Sequence, residues 1–204
     1  MSIVGGAMAL PPRMPWTARA DYYASAYHVH PDRKAGIVPN HSPANLSVEH
    51  GVFRRTRGFT EQFPVADGHE ELAWQSEAVE SGARIYFEPA AVVEHWNRGG
   101  AGNLLRRSYR WGYSALESKA TNRASRLASW YRIPFLGLLL AYPLALVETL
   151  YITGTWLRAG KWEAVQFLPF ILASRLAYAS AFIVGGIAWY QRGSSAPGRP
   201  PRWR

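Results

Sequence analysis

The chain contains no cysteine, which excludes disulfides, thiolate metal sites and cysteine nucleophiles and leaves its redox compartment undetermined. Acidic residues are scarce, 14 Asp plus Glu against 23 Lys plus Arg, for a net charge of +9 over 204 residues. No Asp-x-Asp occurs anywhere in it. Gly99, Gly100 and Gly102 lie close together but without a lysine, so they match no phosphate-binding loop and read as a linker. The apolar run Ile3 to Leu10 follows no basic stretch and contains Gly5-Gly6, which makes it a poor signal peptide. What is abundant is positive charge, and its excess calls for an anionic partner: nucleic acid, acidic lipid headgroups or a phosphorylated substrate.

Ile3 to Leu10 predicts a short buried strand, ended by Pro11-Pro12. Residues 16–29 predict a helix with an aromatic side, closed by His30-Pro31. The Pro-, Gly- and His-rich segment 31–43 reads as a loop, either functional or simply connecting. Asn45 to Val52 predicts a short strand turning into a helix, followed by Arg54, Arg55 and Arg57. A helix over 69–81 follows, with Leu72, Ala73, Ser76 and Val79 on one side and Gly82 at its C-cap. Ile85, Phe87, Ala91 and Val93 mark extended segments around a Glu88-Pro89 turn.

Asn103 to Leu127 predicts a long helix in which Arg106, Arg107, Arg110, Lys119, Arg123 and Arg126 interleave with Tyr109, Trp111 and Tyr113. Basic and aromatic residues together fit a nucleic-acid surface or a helix lying on a membrane. The segments that follow favour the membrane. Ile133 to Leu157 carries one charge, Glu148, and Ala164 to Tyr190 carries one, Arg175. At about 1.5 Å per residue each is long enough for a hydrocarbon core of about 30 Å, and membrane helices tolerate prolines such as Pro143 and Pro169. With only residues 158–163 between them, the two form a predicted transmembrane hairpin, and Trp130, Tyr131, Trp156, Trp162, Trp189 and Tyr190 fall at its ends as an aromatic belt. Glu148 and Arg175 reach similar depth in such a hairpin and are expected to pair, since a lone charge at mid-bilayer costs at least about 2.5 kcal/mol. The expected layout places the linker outside and both flanks, including the arginine-rich tail 191–204, on the cytoplasmic side.

Glu70 and Glu71 adjoin at a helix start, with Asp67 just before them. A helix dipole there keeps a carboxylate ionised, which suits a general base acting on a hydroxyl and equally suits plain N-terminal helix charge. His95, where the following strand stops, is a metal ligand only if carboxylates join it.

Set in order, Ser42-Pro-Ala-Asn45, Phe53-Arg-Arg-Thr-Arg-Gly58-Phe59-Thr-Glu61, His69-Glu70-Glu71-Leu-Ala-Trp74 and Ser81-Gly82 through Glu88-Pro89 to His95 resemble the C-terminal half of a family 2 glycosyltransferase of the GT-A fold. The likeness covers about residues 40–113 and begins past the family's nucleotide-binding strands and Asp-x-Asp. It implies an α/β fold class, a partial GT-A domain over 1–102, then a basic interfacial helix over 103–132, the hairpin over 133–190 and the tail over 191–204. Glu71 falls on the family's acceptor base with Glu70 beside it, and His95 on a ligand for Mg or Mn, a cofactor expected only with the N-terminal half. Asn45, Phe59 and Trp74 fall on the acceptor side. Arg107, Arg110 and Trp111 resemble the donor-contacting Gln-x-x-Arg-Trp element, with Arg107 in place of Gln. Glu for Asp at 71 and Arg57 for the first Gly of Gly-Gly-Phe are further departures. The implied partners are a nucleotide-sugar donor, a lipid-linked or glycan acceptor and the membrane, with no nucleic acid, and the implied localisation is a multi-pass membrane protein. The competing reading is a non-catalytic membrane-anchored module that binds acidic lipid or a partner protein.

Overall fold

In the computed structural model the residues described are 2–56, 58–59, 70–121, 131, 133 and 135–191. Arg57, Glu61, Asp67, His69, Arg123, Arg126, Trp130 and the tail beyond Gln191, all singled out from the sequence, lie outside them.

The architecture is mixed α/β. Four strands form one sheet in the order β2-β4-β1-β3: β1 (Ile3–Ala9), β2 (Gly36–Val38), β3 (Leu46–Val48) and β4 (Ile85–Glu94). The central pair β1–β4 is parallel, from Ile3 opposite Ile85 to Ala9 opposite Glu94, and both outer strands are antiparallel to their neighbours. Where a turn was expected at Glu88-Pro89, the strand continues through a bulge. Gly6 faces Glu88 but Ala7 faces Val92, so Pro89, which has no N–H for the ladder, is accommodated outside the regular pairing. Gly6 is required opposite the bulge, since a Cβ there would overlap the Ala91 carbonyl and the Asn45 amide.

The two faces of β1 serve different cores. Ile3 and Ala7 point one way and pack with Ile85 and Phe87 against α2 (His50–Arg55) and α3 (Glu70–Glu80) through Val52, Trp74 and Ala78. Met8 points the other way, into a cluster with α1 (Trp16–Ser25), as the two-residue period of a strand demands. α3 ends where Gly82 takes φ +91°, the left-handed cap that glycine adopts without strain.

Beyond α1 lies a layer of helices: α4 (Ala101–Thr121), the short α5 (Leu136–Leu139), α6 (Ala141–Arg158) and α7 (Leu168–Gln191), the last entered through a 3-10 segment Trp162–Phe167. The expected single span over 133–157 is broken, because Phe135 adopts φ 63° and α5 ends at Leu140. Pro143 then sits in the first turn of α6, where its missing N–H costs no helical bond. Among the described residues one stretch, Trp162–Gln191, is a helix long and apolar enough to cross a membrane. Glu148 and Arg175 do face each other between α6 and α7, Nη1 to Oε2 3.7 Å.

The linker at residues 158–163 departs most from expectation. It docks on the globular part instead of standing a bilayer's thickness away. Lys161 Nζ lies 3.0 Å from Asp32 Oδ2, and Glu163 binds both Arg19 and the Tyr23 hydroxyl of α1. Trp156, at the end of α6, donates its Nε1–H to the Tyr23 carbonyl at 2.8 Å. The aromatic side of α1 is what receives the end of α6 and the segment that follows it.

Candidate functional site

α3 lies against the sheet in a fixed register, sharing a core with Ile3, Ala7, Ile85 and Phe87 through Trp74 and Ala78. Gln75 sets that register. Its Oε1 accepts the His41 N–H and its Nε2 donates to the His41 carbonyl, both at 2.7 Å. The His41 ring in turn stacks on Phe87 and fills the space a Cβ on Gly5 would need. Ala78, one turn later, is buried in the cluster that holds Ile3 and Ile85. Glu71 lies one turn before Gln75, about 5.4 Å along the axis.

Glu70 and Glu71 are half-buried in the first turn of α3. The Glu71 carboxyl is pushed above its ordinary value, chiefly by burial and further by Glu70, against a lowering hydrogen bond from its own backbone N–H. Desolvation therefore outweighs the helix-terminus effect expected to keep it ionised. A base needs this direction of shift, since proton affinity near the working pH drives the transfer.

Asn45 donates Nδ2 to the Ala7 carbonyl and to the Ala91 carbonyl, 2.9 Å each. Its amide therefore ties the bulge to β1. Phe59 is 47% exposed and packs on Phe53 and on Trp74, ring centroids 6.0 and 5.3 Å apart. Trp74, expected among the acceptor-side residues, is only 1% exposed and donates Nε1–H to Thr56 Oγ1 at 2.7 Å. It supports Phe59 from below and presents almost no surface to an acceptor. His95 extends the β4 ladder, its N–H donating to the Ala9 carbonyl at 3.2 Å.

The three donor-side residues sit on α4, which packs on the α1 side through Leu104, across the sheet from α3. Arg107 is already engaged. Its Nη2 binds the Asp21 carboxylate of α1, and its guanidinium lies 4.6 Å from the Trp111 ring centre. Asp21 is buried, and removing its partner would leave an uncompensated charge. Arg110 and Trp111 are half-buried on the same helix. The structure thus ties Asn45 to the bulge and Arg107 to α1, with Glu70 and Glu71 half-buried at the start of α3. Asp21 escaped sequence reasoning, although it is the lone acid among residues 16–29, a signal that becomes legible only beside Arg107.

Among the described residues no three His, Asp or Glu side chains group as a metal site. His95 stands without such a group among the described residues. Compared with known proteins, the chain matches no family model, no curated protein and no solved structure.

Proposed function

We propose that this chain is the acceptor-side part of a membrane-anchored glycosyltransferase, passing a sugar from a nucleotide-sugar donor to a lipid-linked or glycan acceptor. The observation that supports it best is Glu71. Its carboxylate stands in the first turn of α3, with its proton affinity raised by burial. In that position Glu71 takes the proton of an acceptor hydroxyl as the hydroxyl oxygen attacks the anomeric carbon of the sugar and the bond to the nucleotide's phosphate breaks, the phosphate oxygen leaving with the electron pair; Glu70 holds the proton affinity high, and exposed Phe59 offers a flat apolar face to a sugar ring. Anchoring rests on α7 with its lead-in turn, whose apolar window is only 33% buried, and on the outer face of the neighbouring helices, where Leu139 is 78% and Leu150 70% exposed. Apolar surface of that kind calls for a lipid or protein cover.

The test uses the full chain, purified in detergent and supplied with a panel of nucleotide sugars, Mn and a lipid extract, with and without a separately expressed nucleotide-binding half. Transfer is expected to rise with pH as Glu71 ionises. Glu71→Gln is expected to lower it by about 10² to 10⁴ and to flatten that rise, and Glu70→Gln far less. Absence of nucleotide-sugar binding under both conditions, or a Glu71→Gln variant as active as the parent, refutes the reading in favour of a non-catalytic module.

A further inference from the structure

We infer that the helix layer contains a binding site for the phosphate head of an anionic lipid, in a half-open cavity lined by α4, α5, α6 and α7. The cavity measures about 130 Å³. Its charged lining consists of Lys119, Arg175 and Glu148, two cations against one carboxylate, set among apolar side chains such as Ala145, Ala179 and Phe182. The Glu148–Arg175 contact is loose, at 3.7 Å, and Glu148 is the more exposed partner, 45% against 11% for Arg175. The buried Nε of Arg175 has no hydrogen-bond partner among the described residues. Lys119 is held by aromatic faces, its Nζ 5.3 Å from the Tyr131 ring centre, 5.8 Å from Tyr178 and 6.0 Å from Phe182. Ring faces stabilise a cation but do not neutralise it.

An excess cation in an apolar layer is costly unless an anion joins it. A phosphate monoester supplies up to two charges and several acceptor oxygens, matching an ammonium and a guanidinium that prefers forked contact with phosphate. The rest of the ligand follows from the mouth of the cavity. Leu144 lines it and is 46% exposed, and Val147, farther along α6, is 60% exposed. An acyl chain leaving the head through that opening runs along apolar surface. The site rests on the reading of the helix layer as membrane-embedded and is independent of the transfer reaction.

The experiment is native mass spectrometry of the full chain released from detergent micelles carrying dioleoyl phosphatidate, phosphatidylcholine or inorganic phosphate. Retention of phosphatidate over phosphatidylcholine is expected, and Lys119→Met is expected to weaken it by at least about tenfold. Ala145→Leu, which fills the cavity without changing charge, is expected to do the same, and it keeps the test valid if Lys119→Met fails to fold. Arg106→Gln, at an exposed site on α4, is expected to leave retention unchanged. Equal loss in Arg106→Gln, undiminished retention in Ala145→Leu, or equal retention of inorganic phosphate overturns the assignment. Carbonate extraction of the parent chain from membranes reports separately on embedding, and binding of water-soluble dihexanoyl phosphatidate reports on the cavity alone, so the two failures are told apart.

Discussion

The helix layer is held in two ways that differ in kind. At the junction with α1, large aromatic side chains meet and hydrogen-bond: the Tyr23 ring lies 4.9 Å from both Trp156 and Phe167, and the Tyr22 hydroxyl donates to the Met8 carbonyl at 2.9 Å. Between α4 and α7 the contact is backbone on backbone. A Cβ on Gly112 would overlap the Tyr178 carbonyl, and one on Gly185 would overlap the Tyr113 carbonyl. The junction joins the helix layer to α1 and uses rings with one apolar body and one polar tip. The seam lies within the helix layer, where small residues let two helix backbones approach closely.

The contrast can be broken at the junction first. Trp156→Ala removes a ring that is 1% exposed together with its bond to the Tyr23 carbonyl. A loss of about 3–5 kcal/mol is expected, read as lowered thermal unfolding in detergent with early proteolysis between the sheet and the helix layer. Loss of stability without that early cleavage argues against a distinct junction. Gly185→Ala should act on the seam instead, by about 1–3 kcal/mol through overpacking. Its signature is a separation of α4 from α7, measured by cross-linking of cysteine pairs introduced into this cysteine-free chain, with the α1 contacts retained.

The smallest effect at neutral pH concerns His28, in the 3-10 turn that follows α1. Burial pushes its pKa down from 6.5 to about 4, assisted by His41 and Arg33. The folded state therefore binds fewer protons than the unfolded chain. This contribution to stability is fully present above pH 6.5 and is lost as pH falls toward about 4. His28→Gln should melt like the parent at neutral pH and show a shallower decline over that acid range; parallel melting profiles would remove His28 as the acid-sensitive group.

Much of the sheet layer was legible in the sequence because its signals are local. The apolar run at Ile3–Ala9, the apolar spacing of Glu70–Glu80 and Gly82 at its cap each act within a few residues. The Glu148–Arg175 pairing was legible as well, from counting turns along two apolar runs joined by a short linker. The bulge after Glu88 was not, since it depends on Gly6 and Asn45 closing on it from distant parts of the chain. Glu71 was found as a carboxylate, but the direction of its pKa shift required knowing how deeply α3 packs.

By itself the sequence determined the sign of the charge, the absence of thiol chemistry, the order of most strands and helices and the apolar character of the C-terminal region, because composition and periodicity carry those properties. Only the tertiary structure decided that the linker at 158–163 turns back onto α1, that Arg107 is bound by Asp21, and that Trp74 is buried. Those outcomes turn on which faces meet across the chain, which distant packing partners decide and local periodicity does not.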